Sequence, residues 1–228
     1  MNTTTYSIRD LLDGATSRPS RGTQTPPSDT TESHSAWLHE RHRQAAEERY
    51  NRACPERYKD TDWDYPALAP YRVQIDRVRN WQFGPKGMIA SGPTGRGKSR
   101  AVFDLYRRLA CDEGRDVKYY YAGDWFNELQ QQVNYGRDEA RGWVEASAAR
   151  PVIILDDLGK QALLTNKEEW AADWFFRFLD LRVGSGLPLI ITTNLSAPAL
   201  AQDMGSRDGD TGDPLMRRVL AVCEPVRF

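Results

Sequence analysis

The feature that most constrains the fold is the run Gly-Pro-Thr-Gly-Arg-Gly-Lys-Ser at residues 92–99, which lies between an apolar stretch and a helical one. It matches the pattern G-x-x-x-x-G-K-[ST] in full. The glycines allow the backbone to curl until successive N–H groups point inward, which makes a concave site for an anion. Because such a loop joins a strand to the start of a helix, residues 88–90 are predicted to be a strand and residues 98–112 a helix.

Most residue types in this run have a role in binding phosphate. The positive end of the following helix adds to the field of the loop N–H groups. Lys98 is expected to reach the β- and γ-phosphates of a nucleotide, and the Ser99 hydroxyl is a hard oxygen ligand for Mg²⁺. A glycine-rich structural turn would not account for Lys-Ser at a helix start. The predicted phosphate-binding residues are Gly92, Pro93, Thr94, Gly95, Arg96, Gly97, Lys98 and Ser99.

From residue 87 onward the sequence alternates between short apolar stretches and longer helical ones. The predicted strands are residues 87–91, 117–121, 152–155, 187–192 and 220–226. The predicted helices between them are residues 98–112, 124–133, 139–149 and 167–182. This alternation predicts an α/β fold, a parallel sheet with helices on both faces. In such sheets ligands bind at the carboxyl ends of the strands.

Polar side chains follow two of the predicted strands. Asp156 and Asp157 come directly after the apolar residues 152–155. We expect Asp156 to hold the Mg²⁺ shell and Asp157 to orient and polarise the attacking water, although an aspartate pair also caps helices. Asn194 comes just after the predicted strand 187–192. It is expected to hydrogen-bond the γ-phosphate and the water, and an asparagine that begins a turn is the alternative.

The N-terminal part of the chain has a different composition. Residues 1–35 hold 14 Ser or Thr, three Pro and two Gly, which leaves too little apolar surface to offset the entropy of ordering. We therefore expect a disordered tail over residues 1–35, a helical segment over 36–60 and the phosphate-binding domain over 61–228. Within the tail, residues 7–13 are compatible with a short helix, which is either a docking helix for a partner protein or part of a frayed tail.

The charge balance limits the classes of partner. Lys and Arg number 31, Asp and Glu number 32, and the net charge is −1, so any contact with nucleic acid must come from a local patch. No apolar run reaches the roughly 20 residues that span a bilayer, so we expect no membrane partner. Three cysteines, far apart in the sequence, fit a reducing, cytoplasmic compartment.

Taken together, these motifs resemble the AAA+ ATPases and, within them, the DnaC-type helicase loaders and the related IstB transposition helpers. The segments that carry the resemblance are residues 92–99, 155–159 (Leu-Asp-Asp-Leu-Gly), 192–195 (Thr-Thr-Asn-Leu) and 215–220 (Leu-Met-Arg-Arg-Val-Leu). The resemblance covers roughly residues 55–228. It implies a three-layer P-loop NTPase fold, an AAA+ core without a C-terminal lid domain, with ATP and Mg²⁺ as ligands. It also implies hydrolysis of ATP to ADP and phosphate.

The resemblance further implies self-association through an arginine finger that reaches the nucleotide of a neighbouring subunit. Alignment with the loader pattern implies that Arg218 is this finger, with Arg217 as the second choice. The implied catalytic residues are Lys98, Asp157, Asn194 and Arg218. Two surface arginines are the alternative. Arg182 lies where loaders often carry another intersubunit arginine.

Two departures from the family pattern bear on these expectations. Residue 157 is Asp where many AAA+ enzymes have Glu. The shorter side chain implies slow turnover. The loop over residues 203–213 is longer and more acidic than expected before the finger helix. The alignment of the family's finger position with Arg218 is therefore less tightly fixed.

The same resemblance assigns the region 125–149 to an insertion that loaders use to stack subunits and grip single-stranded DNA. Candidate phosphate contacts and stacking partners are Arg137, Arg141, Lys118, Tyr119, Tyr120 and Tyr135. The alternative is that alternate tyrosines of the strand are core and that the arginines are solvated.

The implied function is an ATP-dependent helicase loader that assembles on single-stranded DNA and delivers a hexameric replicative helicase. A transposition helper of the IstB kind is one alternative, and the sparse basic content argues mildly against it because duplex wrapping uses many phosphate contacts. A nucleotide-gated scaffold with negligible hydrolysis is the other alternative.

Overall fold

A computed structural model describes residues 31–159, 169–196, 199–200 and 212–228, with the backbone alone at 31–33, 169–170 and 212–213. The chain divides into two units, Met1–Arg41 and His42–Phe228. The possible helix at 7–13, most of the predicted tail and nearly all of the 203–213 loop lie outside the described residues.

Five parallel strands form one sheet. They are β1 (Gly87–Ser91), β2 (Val117–Tyr121), β3 (Val152–Asp156), β4 (Leu189–Thr193) and β5 (Cys223–Arg227). Their order across the sheet is β2-β3-β4-β1-β5, and every neighbouring pair is parallel. All residues of β3 and β4 are buried, as expected for central strands covered on both faces. The predicted parallel α/β sheet is confirmed.

Helices connect the strands and precede the first of them. They are α1 (Thr31–Ala53), α2 (Glu56–Lys59), α3 (Arg72–Arg79), α4 (Lys98–Arg107), α5 (Ala122–Tyr135), α6 (Arg137–Ala148), α7 (Glu169–Ser185) and α8 (Gly212–Val222). A 3₁₀ turn (Pro66–Tyr71) leads into α3, and a π-helical turn (Arg108–Asp112) follows α4. The predicted helix over 98–112 is therefore α-helical only as far as Arg107.

At the last strand the structure differs from the predicted type of element, because the strand begins at Cys223 and not at residue 220. Leu215, Val219 and Val222 are buried at helical spacing, so the helical pattern continues through residue 222. Leu220 lies on the outer side of α8 and is 41% exposed. The prediction of strand for 220–222 is wrong because α8 extends through these residues and Val222 completes its buried face.

Two hydrophobic clusters cover the two faces of the sheet. One contains buried side chains of α5, α6, α7 and α8 packed against Ile153, Leu155 and Ile191. The other contains buried side chains of α3 and α4 packed against Ile154 and Ile190. Helices therefore lie on both faces, which confirms the predicted three-layer P-loop NTPase-like fold.

Aromatic side chains dominate the first cluster. Trp125 is fully buried, and its ring lies 5.1 Å from that of Phe178 and 5.7 Å from that of Phe175. Phe175 and Phe178 are fully buried as well. Trp174 is partly buried against the same cluster, and the side chain of Trp170 lies outside the described part of the chain.

Within the unit His42–Phe228, part of α1 packs on the sheet domain. Ala46, Tyr50 and Cys54 are buried in the second cluster, and the ring of Tyr50 meets that of Tyr106 on α4 at 5.6 Å. Residues 42–60 thus belong to the same compact unit as the sheet, whereas the predicted domain began at residue 61.

Candidate nucleotide-binding site

The strand order brings the predicted site residues to one edge of the sheet. Strand β4 lies between β1 and β3, so the residues that follow these three strands are neighbours at their carboxyl ends. The N–H of Gly92 donates to the Thr193 carbonyl at 3.2 Å, which ties the start of the phosphate loop to β4. The site predicted from separate motifs is therefore one continuous surface.

The glycines of the loop meet backbone requirements that other residues do not. Gly92, Gly95 and Gly97 have φ values of 141°, 87° and 92°, a region that side chains with a Cβ rarely adopt. A Cβ on Gly92 would lie 2.5 Å from the Phe228 backbone oxygen, and one on Gly97 would lie 3.1 Å from Ile75 Cδ1. The loop therefore curls as predicted, and α4 begins directly after it at Lys98.

Lys98 is buried at the centre of the site, with 6% of its surface exposed. Its ammonium group donates to the Gly92 carbonyl at 2.7 Å, the Pro93 carbonyl at 2.9 Å and Asn194 Oδ1 at 2.9 Å. Burial lowers the pKa of Lys98, and the nearby charges of Asp157 and then Asp156 oppose that shift. The structure thus brings Lys98 and Asn194 together, as the sequence motifs predicted.

The Asp156 carboxylate accepts three side-chain hydrogen bonds at the site. Ser99 Oγ donates to Asp156 Oδ1 at 3.0 Å, and the hydroxyl of Thr192 donates to the same oxygen. The Tyr119 hydroxyl donates to the other oxygen, Oδ2, at 3.0 Å. Burial first, and then the Asp156 charge, raise the pKa of Tyr119, so its phenol remains a hydrogen-bond donor.

Magnesium fits this donor set. A serine hydroxyl and a carboxylate within hydrogen-bond distance of each other are the hard oxygen ligands that Mg²⁺ takes alongside phosphate oxygens and water. Ser99 and Asp156 are the residues that would hold the ion, as predicted.

Asp157 has an unusual backbone conformation for a residue other than glycine, with φ at 61°. Its N–H donates to Thr192 Oγ1 at 2.8 Å, and its carboxylate accepts from Asn194 Nδ2 at 2.6 Å. Burial and then the charge of Asp156 raise the pKa of Asp157, while Lys98 lowers it. Asn194 therefore bridges the Lys98 ammonium and the Asp157 carboxylate.

Arg96 contributes to the loop in a different way from its neighbours. Its guanidinium donates to the Phe228 backbone oxygen at 2.8 Å and lies 5.0 Å from the centroid of the Tyr71 ring. The side chain is thus engaged with the C-terminal strand and the turn before α3. Only the backbone N–H of Arg96 is therefore available for the predicted contact with phosphate.

A cavity of about 510 Å³ opens over these groups. The residues that line it include Lys98, Ser99 and Asp156, and part of its wall is formed by Arg57 and Tyr58 from the stretch that follows α1. Sequence reasoning missed this wall because nothing in the residues around 55–58 matches a known phosphate-binding pattern.

Thr192 and Tyr119 were also missed as parts of the site. Tyr119 pairs with Ile154 across the β2–β3 ladder, two residues before Asp156, so the two side chains project to the same face of the sheet. The alternation of side chains along each strand, together with the pairing of β2 with β3, could have identified Tyr119 as part of the site. Tyr119 was instead proposed to stack on DNA, and that interpretation is wrong for a hydroxyl bound to Asp156.

The predicted finger residues lie on α8. Arg218 forms an ion pair with Asp180 on α7, its guanidinium lies 3.6 Å from the centroid of the Phe176 ring, and it donates to the Pro214 carbonyl at 3.2 Å. Arg217 is exposed. Neither arginine is among the described residues that line the cavity.

Arg182 is a correction to the sequence analysis. It is fully buried, and its guanidinium donates to the carbonyls of Ala148, Arg150 and Pro188. Burial lowers its pKa to about 10. An arginine enclosed in this way joins α6 to α7 and β4 within one chain, so the prediction of an intersubunit contact is wrong.

The remaining DNA-contact candidates differ in accessibility. Tyr120 is 8% exposed and packs edge-on to the Trp143 ring at 6.4 Å, so it is a core residue and its predicted stacking role is wrong. Lys118 is exposed and lies over the Tyr120 ring at 4.8 Å. The exposed candidates at the α5–α6 junction are Tyr135, Arg137 and Arg141.

Three solved structures illustrate the fold that this chain shares with known proteins. The crystal structure of the DnaC helicase loader is 20% identical, covers 76% of this chain and 99% of its own, and has a TM-score of 0.58. DnaI is 21% identical over 75% of this chain and 86% of its own, with a TM-score of 0.55. Domain III of the replication initiation protein DnaA from Thermotoga maritima is 14% identical, and the match covers 76% of this chain and 68% of that one, with a TM-score of 0.53. These likenesses show the fold.

Sequence comparison identifies the family. No curated protein sequence matches the chain. The family described as IstB-like ATP binding protein matches residues 34–228, a range that contains the phosphate loop, both aspartates and Asn194. This confirms the resemblance to DnaC- and IstB-like AAA+ ATPases. The chain therefore belongs to the family of IstB-like ATP binding proteins.

Proposed function

We propose that this protein is an ATP-dependent helicase loader that assembles on single-stranded DNA and delivers a replicative hexameric helicase. The observation that carries the proposal is the grouping of Lys98, Ser99, Asp156 and Asn194 at the edge of a sheet whose fold is that of DnaC and DnaI. No helix in the described residues is long and apolar enough to cross a membrane.

ATP binding uses the loop from Gly92 to Ser99. Its N–H groups and the positive end of α4 bind the phosphates, and Lys98 exchanges one of its present acceptors for a phosphate oxygen. Ser99 and Asp156 would hold magnesium, which would neutralise charge on the phosphates.

Hydrolysis depends on the residues beside the γ-phosphate position. Asp157 orients and polarises the attacking water, and Asn194 contacts the γ-phosphate and holds the Asp157 carboxylate in place. A short aspartate arm and an engaged carboxylate favour slow turnover. The catalytic arginine in this proposal comes from a second subunit, since Arg218 lies on the α8 surface and outside its own cavity.

The exposed residues of the α5–α6 junction are the proposed contacts for single-stranded DNA. Arg137 and Arg141 are four residues apart on α6 and so lie on one helix face, with Tyr135 exposed next to them. A local patch of this kind is what a chain of net charge −1 has available for phosphate contacts.

The test compares partners directly. The purified protein is mixed with a hexameric replicative helicase or with a transposase, each with ATP and Mg²⁺, and complexes are separated by size-exclusion chromatography. Co-elution with the helicase, and ATP turnover that rises with single-stranded DNA, are the expected results. Binding to neither the helicase nor single-stranded DNA would refute the loader function.

A transposition helper is the second candidate, and the description of the matching family favours it. Co-elution with the transposase and tighter binding to duplex than to single-stranded DNA would establish that function instead.

A nucleotide-gated scaffold is the third candidate. Wild-type protein and the Arg218→Ala variant distinguish it from an ATPase, because a scaffold shows no turnover in either protein with or without DNA. An ATPase with a finger in trans shows turnover that rises with protein concentration and is lost in Arg218→Ala.

A further inference from the structure

Part of the wall of the nucleotide cavity comes from the short stretch that follows α1. Arg57 and Tyr58, both in α2, line the same cavity as Lys98, Ser99 and Asp157. The ATPase reaction proposed above gives this part of the wall no role. The same cavity contains Asp157, the residue proposed above to orient the attacking water beside the terminal phosphate.

The wall is attached to the phosphate-binding helix. The guanidinium of Arg100, on α4, donates to the Arg57 carbonyl at 3.0 Å and lies 5.1 Å from the centroid of the Tyr58 ring. The Tyr58 ring also meets Phe103, one turn further along α4, at 5.8 Å. Because α4 begins with Lys98 and Ser99, the backbone of Arg57 is held in a fixed position relative to the phosphate loop.

The side chain of Arg57 is available for a ligand. It is exposed, and its guanidinium lies over the Tyr58 ring at 4.8 Å. Among the described residues no carboxylate pairs with it, in contrast to Lys59, which forms an ion pair with Glu56 at 2.8 Å. A guanidinium has five N–H donors, and a ring face uses none of them.

The other cations at the site have different contacts. Lys98 donates to the loop carbonyls and Asn194, and Arg100 donates to the Arg57 carbonyl. Arg96 is bound to the Phe228 oxygen. Among the described residues that line the cavity, Arg57 is therefore the cation whose side chain donates no hydrogen bond within the chain, so all of its donors remain for a phosphate group.

We propose that Arg57 binds the γ-phosphate of ATP within its own chain and makes the site selective for ATP over ADP. This inference rests on the proposed function insofar as the cavity binds ATP. A guanidinium matches two phosphate oxygens with parallel hydrogen bonds, and the interaction needs the terminal phosphate that ADP lacks. It is distinct from an arginine finger in trans because it does not depend on a second subunit.

The experiment measures affinity without hydrolysis. Dissociation constants for a non-hydrolysable ATP analogue and for ADP are measured with Mg²⁺ by competition against a fluorescent nucleotide, for wild type, Arg57→Ala, Arg57→Lys and Arg52→Ala. Arg52 is an exposed arginine in the last turn of α1 and does not line the cavity, so it controls for net charge. Thermal melts check that each variant is folded.

Arg57→Ala is expected to weaken the ATP analogue about 10-fold and ADP less than about 2-fold, with Arg57→Lys in between because it keeps the charge and loses the paired geometry. Arg52→Ala is expected to match wild type for both ligands. Equal losses for analogue and ADP, or no loss for either, would overturn the assignment of Arg57. Wild-type protein that binds neither nucleotide would instead refute the nucleotide site itself, together with this inference.

Discussion

Thr192 is the buried residue on which the positions of both aspartates depend. It is 1% exposed, its hydroxyl donates to Asp156, and the same oxygen accepts the Asp157 N–H at 2.8 Å. Replacing it by valine keeps the shape of the side chain and its preference for a strand, and removes the hydroxyl. Thr192→Val is therefore expected to destabilise the fold and weaken Mg²⁺-dependent nucleotide binding.

The size of the effect follows from these two hydrogen bonds. A bond to a charged carboxylate contributes about 1.5–3 kcal/mol, and a buried N–H left without a partner costs about 1–3 kcal/mol. The methyl group that replaces the hydroxyl gains about 0.8 kcal/mol from its burial. The net expectation is a free energy of unfolding lower by about 2–4 kcal/mol.

Urea denaturation followed by far-UV circular dichroism measures this difference, with an unchanged m-value showing that both proteins unfold in the same way. The matched control is Thr193→Val. Thr193 is equally buried, and its hydroxyl oxygen accepts one bond, from the Leu195 N–H at 3.1 Å, so its loss is expected to cost about 1 kcal/mol. A Thr192→Val variant no less stable than Thr193→Val would refute the reasoning.

Two further predictions concern buried charges. The raised pKa of Asp157 means that its contribution to stability is present below its ordinary value of 3.8 and is lost as the pH rises through the raised value. Asp157→Asn is therefore expected to raise the melting temperature at about pH 7, with a difference that shrinks toward pH 3.8; an equal difference at all pH values would contradict this. Arg182→Leu leaves the carbonyls of Ala148, Arg150 and Pro188 without their donor, so urea denaturation should show a loss of about 3 kcal/mol, and a loss below about 1 kcal/mol would contradict the structural role of Arg182.

Much of the site could be predicted because its residues are consecutive in sequence. The loop over residues 92–99 carries its own backbone requirement in its glycines, and Asp156, Asp157 and Asn194 directly follow apolar strands. Parallel strands end at one edge, so the fold class alone predicted that these groups meet.

The residues that could not be predicted act across long sequence separations. Tyr119 reaches Asp156 because β2 pairs with β3 in a particular register, and the wall residue Arg57 is positioned by Arg100 on α4. Arg182 was assigned to an intersubunit contact by its resemblance to the loaders, and only its three carbonyl partners show why it is buried here. Sequence patterns report one element at a time and do not contain such pairings.

The most direct test of the nucleotide site is calorimetric titration of ATP with Mg²⁺ into wild-type protein and into Lys98→Ala. Lys98 donates to the carbonyls of Gly92 and Pro93, which are partly or fully exposed, so water replaces it there and the fold is expected to persist. The site described above predicts that wild type binds ATP and that Lys98→Ala binds at least about 100-fold more weakly with an unchanged melting temperature. Wild-type affinity in the Lys98→Ala variant would contradict it.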